Sequence, residues 1–181
     1  MAILLVLSCI VYSHEITALP AYWYGTYQGT LEIRSPGKPD MDVPIELVIK
    51  PLENADRVTW QITYGEGEKK SVRPYELVAL PRRPNYFELD EKSGIKMQMH
   101  RSENKLLCLF KISNSLLHVE YEIKPKDRVI HYQISTFQEK DPLTTSHEKN
   151  PQIGVDSYRL LSIQSAILKP VDTSKPGASK K

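Results

Sequence analysis

Arg73 is the residue whose setting comes nearest to chemistry. Ahead of it, Val58, Trp60, Ile62 and Tyr64 alternate with Arg57, Thr59, Gln61 and Thr63, the period of a half-buried strand. Gly65, Glu66 and Gly67 make a hairpin turn, and residues 71–80 return as a strand interrupted by Pro74, which belongs at an edge or a bulge because it cannot donate to a ladder. An even-length loop sets Arg73 opposite Trp60 and Tyr75 opposite Val58, both facing inward. An interior guanidinium must be paired or hydrogen-bonded, so it offers a seat for a carboxylate or phosphate head group, with cation–π support from Trp60. An odd-length loop turns the strand over, puts Val72 and Glu76 inside and leaves Arg73 an ordinary surface charge. A bulge at Pro74 that carried Glu76 to the side of Arg73 would satisfy the arginine without any ligand.

The tyrosines are the second signal. Tyr27, Tyr64, Tyr121 and Tyr132 fall on apolar faces, and a buried hydroxyl left without a partner costs about 1–3 kcal/mol. Four of them point to a wet cavity or to polar partners. With Trp60, Met97 and Met99 they would line a mostly apolar pocket with a few polar handles, the character of small-molecule sites. Trp23 and Tyr27 flank Gly25 and Gly29 in an alternation of large and small that a tapered barrel uses to fill its interior or admit a ligand; plain core packing explains it as well. The candidate ligand-binding set is therefore Trp23, Tyr27, Trp60, Tyr64, Arg73, Tyr75, Tyr121 and Tyr132.

The remaining reactive side chains form no constellation. His100, His118 and His131 fall on outward faces of separate strands, with Glu120 or Glu122 across from His131, and solvated cross-strand pairs account for them. Metal-ligand spacings, a nucleophile elbow and a Gly-rich phosphate loop are all missing. Asp90 and Glu91, followed by Lys92, Ser93 and Gly94, read as turn residues. Cys108 faces inward between Met99 and Tyr121 as an inert thiol, since reactivity needs exposure and a cationic neighbour. No catalytic residue, metal or cofactor is expected.

What positions these residues is a run of short alternating strands that begins at Trp23, Gly25, Tyr27, Gly29, Leu31 and Ile33. Val43, Ile45, Leu47 and Ile49 share one face of the next strand. Phe87 and Leu89 mark a short strand after residues 71–80. Pairing across a turn at 102–105 sets Met99 by Cys108, Met97 by Phe110 and Ile95 by Ile112. A turn at Asn114 and Ser115 sets Ile112 by Leu117, Phe110 by Val119 and Cys108 by Tyr121. Residues 129–137 keep Ile130, Tyr132 and Ile134 inside. A polar stretch up to Pro151 reads as a mobile loop, and residues 158–168 as a final strand or, less favoured, a helix capped by Asp156. Short connections suit an all-β, single antiparallel up-and-down barrel of about 8 to 10 strands, closed by pairing first with last, with a β-sandwich as the alternative.

At 181 residues and 20.7 kDa one domain is expected. The net charge of +2 is mixed along the chain rather than striped, which gives a nucleic-acid reading poor support, and no nucleic-acid partner is expected. Ile3 to Val11 form an apolar leader shorter than a membrane span, so residues 1–18 read as a signal peptide cleaved after Ser13 or Ala18 and the protein as secreted or periplasmic. Leu7, Ser8 and Cys9 raise the rival of a lipid anchor on Cys9 and a place in the envelope. Without Cys9, Cys108 stands alone, so no disulfide framework holds the fold. Residues 170–181, rich in Lys and Pro, read as a disordered tail.

An early Trp beside Gly on the first strand, a run of hairpins and a late basic residue make residues 22–169 resemble the lipocalin and calycin barrels, including secreted bacterial lipocalin-like proteins. Ala21 stands where the lipocalin signature has Gly, and Gly25 follows Trp23 instead. The resemblance implies a ligand-holding barrel in which Arg159 packs across Trp23. The leading expectation is a non-enzymatic exported barrel holding a small, mainly hydrophobic molecule, its polar head fixed by Arg73 and Tyr75. The alternative is a filled barrel that acts as an interaction or structural module through its surface, motivated by outward Leu107 and Leu109. An enzyme on the same scaffold is the third and least supported reading.

Overall fold

The computed structural model describes residues 19–172; the leader with Cys9 and tail residues 173–181 lie outside them. Ten antiparallel strands close into one barrel in the order β1-β12-β9-β8-β7-β6-β5-β4-β3-β2, with β10 and β11 as a separate two-stranded ribbon. The barrel strands are β1 Gly25–Arg34, β2 Met41–Pro51, β3 Arg57–Tyr64, β4 Ser71–Ala79, β5 Tyr86–Asp90, β6 Lys96–Ser102, β7 Lys105–Ile112, β8 Ser115–Lys124, β9 Val129–Gln138 and β12 Leu160–Pro170. Closure is by first with last: Gln28 pairs with Lys169 and Ile33 with Gln164. The barrel excludes the sandwich, and residues 160–170 are strand rather than helix.

Period-two patterning explains which side is filled. Ile45, Leu47 and Ile49 on β2 and Val58, Trp60 and Ile62 on β3 are buried, while Gln28 bonds Glu46 and Lys105 pairs with Glu120 on the outer wall. Burying each such aliphatic side chain stabilises the fold by about 1.5–3 kcal/mol. The two ends differ. A 3-10 turn, Ala21–Trp23, tucks Leu19 and Trp23 into the end where β1 begins and closes it. The other end, where β1, β3, β5, β7 and β9 finish, is open. Trp23 thus sits in the plug before the first strand rather than on it, because the 3-10 turn bends the chain across the barrel floor.

Several registers shift by two residues, which preserves every face. The β3–β4 loop has six residues, 65–70, three of them in a second 3-10 turn, Gly67–Lys69, so Tyr75 lies opposite Trp60, and Arg73 opposite Ile62. Between β7 and β8 the turn is Ser113 and Asn114, Ser113 taking φ +52°; Phe110 therefore meets Leu117, Cys108 meets Val119 and Leu106 meets Tyr121. The β6–β7 register is as the sequence predicts, with Ser102 opposite Lys105, but Ile95 and Ile112 extend past the open end and are exposed. Pro74 pairs on its β3 side with Gln61, and β5 joins β4 only from Glu76 onward, so the proline stands at a local free edge.

The polar stretch after β9 is ordered. Leu143–His147 (β10) and Asn150–Ser157 (β11) form the ribbon, with Thr145 opposite Val155. All its strand residues are exposed, so no burial pattern in the sequence could announce it.

Candidate functional site

The interior passes from a filled floor to a small cavity at the open end. At the floor the Tyr27 hydroxyl donates to the Trp23 carbonyl at 2.9 Å. Arg128, in the β8–β9 turn, donates to the Tyr24 carbonyl, lies 3.4 Å from the Tyr27 hydroxyl and places its guanidinium 5.9 Å from the Tyr27 ring centroid. Trp23 and Trp60 pack above this plug with ring centroids 6.2 Å apart and planes tilted by 45°, and Tyr121 stands edge-on to Trp60 at 5.0 Å.

Above Trp60 the packing opens into a cavity of about 110 Å³ lined by Ile62, Tyr64, Tyr75, Leu89, Glu91, Met97, Met99, Cys108, Phe110, Val119, Tyr121, Tyr132 and Ile134. Its walls come from β3 through β9, whose inward residues here mix aromatic and sulfur-bearing side chains with the aliphatic Ile62, Leu89, Val119 and Ile134. Three hydroxyls meet in it. Tyr64 and Tyr132 lie 3.4 Å apart, oxygen to oxygen, and the Tyr121 and Tyr132 rings stack at 4.6 Å. Burial pushes the Tyr132 and Tyr121 hydroxyls well above the ordinary tyrosine range, reinforced by the neighbouring tyrosines. Tyr64 is raised by burial too, offset by the Tyr132 hydrogen bond and by the charge of Arg73. Tyr75 is pushed up to about 12, first by burial and then by the carboxylate of Glu91, with Arg73 pulling the other way. All four hydroxyls are therefore neutral at ordinary pH and can donate as well as accept. Burial also raises the Cys108 thiol to about 11, which leaves it without nucleophilic thiolate.

The eight residues singled out by sequence divide by depth. Tyr64, Tyr75, Tyr121 and Tyr132 share the cavity; Trp60 lies beneath it; Trp23 and Tyr27 belong to the floor and do not line it. The Tyr27 hydroxyl, satisfied by backbone carbonyls, does not argue for a wet interior. Arg73 is on the inner face but at the exposed rim, because the two-residue shift moves it one pleat outward. No hydrogen bond or ion pair engages it among the described residues, and its register neighbour is Ile62 instead of Trp60, so the Trp60 cation–π pair does not form. Glu76 points to the outer wall, where it pairs with Arg57 at 3.2 Å and Lys92 at 2.6 Å; it does not neutralise Arg73. Arg159 bonds Gln138 at the open end, and the basic residue that approaches the floor is Arg128.

Two contributors escaped the sequence reading. Glu91 lines the cavity although its neighbours are turn residues; continuing the inward set of Phe87 and Leu89 by one more step would have found it. Arg128 carried no signal, because its partners Tyr24 and Tyr27 lie about a hundred positions earlier in the chain. The histidines stand on the outer wall as expected, His131 opposite Glu122. Among the described residues there is no cluster of His, Cys, Asp and Glu fit to hold a metal ion, and no helix long and apolar enough to cross a membrane.

No family model and no curated protein matches the chain in sequence. Solved structures do match its fold. A protein of unknown function from the DUF3598 family of Nostoc punctiforme aligns over 86% of this chain with a TM-score of 0.57 and 10% identity. The S-type phycobiliprotein lyase CPES from Guillardia theta aligns over 84% with a TM-score of 0.55 and 7% identity. The chain spans half the length of the first protein and 90% of the second. At such identities the likeness concerns the fold: the chain is a closed β-barrel of the kind found in a DUF3598 protein and a phycobiliprotein lyase, consistent with the lipocalin-like resemblance.

Proposed function

We propose that this protein is an exported, non-enzymatic barrel that binds a small, mainly hydrophobic molecule at its open end, with an apolar part in the cavity and a polar head turned to Arg73 and Tyr75. The observation that carries this reading is the cavity itself: about 110 Å³ of space between mainly apolar walls of aromatic, sulfur-bearing and aliphatic side chains, reached from the open end, while the floor of the same barrel is packed solid. Apolar cavities of roughly this size, on the order of 150 Å³, hold a benzene ring. The seat therefore suits one ring or a short chain, the rest of the molecule remaining at the rim. There Arg73 has no protein counter-ion among the described residues and Tyr75 and Tyr64 present hydroxyls. The likeness to a phycobiliprotein lyase supports small-molecule handling as a use of this fold and carries no residue over.

The test is titration of the full chain with 4-ethylbenzoate and with uncharged ethylbenzene, read by the methyl resonances of Met97 and Met99. Both ligands shift these methyls, Arg73→Gln weakens the benzoate about tenfold and leaves ethylbenzene unchanged, and Met97→Trp, which fills the seat, abolishes both. Shifts confined to the outer wall would refute the reading.

A second reading has its own observation. The cavity is smaller than the roughly 300 Å³ typical of drug-sized ligand sites, and Leu109 is 69% exposed on the outer wall, as an interaction module with a filled interior requires. Retention of full biological function by a variant with the cavity filled would favour it.

A further inference from the structure

The exposed apolar side chains are not scattered. Thirteen large hydrophobic residues are exposed among those described, and the barrel topology sorts them by end. Met41 opens β2, Val72 opens β4, Ile95 precedes β6 and Ile112 ends β7, all on the open rim. Leu143, Ile153, Val155 and Tyr158 are on or beside the ribbon, which is inserted between Gln138 and Leu160 at the same end. The register places Thr145 opposite Val155 and Leu143 opposite Ser157, so Leu143, Val155 and Ile153 share one face. Eight of the thirteen thus lie at the open end or on and beside the ribbon that leaves it. Three, Leu52, Tyr86 and Val171, lie at the floor end, and two, Leu109 and Ile167, on the side wall.

We propose that the open end is a membrane-docking face: the rim and ribbon side chains enter the interfacial layer of a lipid bilayer, and the cavity opens onto lipid. Three features select lipid over a protein partner. The apolar groups sit on separate strand ends and on the ribbon, distributed over one end of the molecule. A fluid surface accommodates such a set, whereas a folded partner would have to match each projection. The charges on the same turns are of both signs, Glu66 and Glu68 with Lys69 and Lys70, Glu91 with Lys92, Glu148 with Lys149. A balanced rim fits a zwitterionic surface and gives a charged partner nothing to follow. Finally, the outer wall carries ion pairs such as Lys105 with Glu120 and Lys96 with Glu88, the reverse of the apolar band that faces lipid on membrane-spanning barrels. Contact is therefore end-on and peripheral. It does not depend on what the cavity holds.

The test is flotation of the full chain with phosphatidylcholine vesicles. Residues 3–11 are apolar and common to every variant, so differences between variants report the barrel. Ile95→Asp, Ile112→Asp and Val155→Asp, all at exposed positions where folding is not at stake, each lower the partition coefficient by roughly tenfold, and Leu109→Asp and Ile167→Asp on the side wall leave it unchanged. Equal flotation of all variants, or no flotation of the parent, overturns the proposal. So does light scattering that finds a dimer of the parent chain and a monomer of the open-end variants without vesicle binding, since the occupant of the face would then be a second copy.

Discussion

The hydroxyl of Tyr64 on β3 meets the hydroxyl of Tyr132 on β9 across the barrel at 3.4 Å. These strands are not neighbours in the sheet, so the contact ties opposite walls together above the packed floor. Tyr132→Phe removes one partner and leaves the Tyr64 hydroxyl half-buried without it. The expected loss is about 1 kcal/mol, read as a lower urea midpoint at unchanged slope. An unchanged midpoint would mean that the two hydroxyls are solvated independently.

Barrel closure depends on a glycine. A Cβ on Gly29 would fall against the backbone carbonyl oxygen of Ile167, with Leu168 beside it, in the seam where β1 meets β12. Backbone cannot step aside as a side chain can, so Gly29→Ala should destabilise by about 1–3 kcal/mol. Gly154→Ala in the ribbon meets only ordinary contact, the Thr145 carbonyl oxygen at 3.8 Å, and should be neutral within about 0.5 kcal/mol. Thermal melts of the two variants side by side distinguish a tight seam from a general intolerance of alanine.

Cys108 supplies a probe of the interior. It is buried and its thiol is raised to about 11, so at pH 8 an aromatic disulfide reagent should fail to label it in the native protein and label it fully in denaturant. Rapid native labelling of Cys108 in a Cys9→Ser chain would show that the cavity wall opens to solvent far more than its packing implies.

Alkaline titration follows from the tyrosines. Tyr75 is neutral up to about 12 in the folded protein against an ordinary value of 10.0. Above pH 10 the unfolded chain releases this proton while the folded chain keeps it, so stability is full below about pH 10 and falls as the pH rises toward 12. The Cys108 thiol adds the same sign of dependence from its ordinary 9.0 to about 11. Denaturation midpoints should therefore decline from pH 9 upward, and Tyr75→Phe should lessen the slope above pH 10 without removing it, because the raised Tyr64, Tyr121 and Tyr132 hydroxyls act in the same direction. A midpoint independent of pH over this range would contradict the burial of these groups.

The inner faces were legible in sequence because period-two alternation requires no knowledge of the partner strand: Val43 to Ile49 and Val58 to Tyr64 lie as their spacing demands. What sequence could not supply was loop length in three dimensions. The 3-10 turn at Gly67–Lys69 adds two residues to the β3–β4 loop and moves Arg73 from the interior to the rim, and Ser113 at φ +52° slides β8 by two. Face survived both shifts, since each is even, whereas depth did not. The ribbon was invisible for a different reason: with no buried side, Leu143 to Ser157 has nothing to alternate against. Of the candidate residues, Tyr64, Tyr75, Tyr121 and Tyr132 line one cavity while Tyr27 lies in the floor, and Arg128 and Glu91 gain their places only through tertiary contact.

The claim that the open-end cavity holds a small hydrophobic molecule is tested most directly by native mass spectrometry of the protein purified without delipidation, beside its Met99→Trp variant. A stoichiometric adduct of a few hundred daltons or less is expected, released by organic solvent and missing from the variant, whose introduced indole occupies the seat. A clean apo mass in both, unchanged after exposure to a panel of lipids and small aromatic acids, would contradict it and leave the filled barrel acting through its surface.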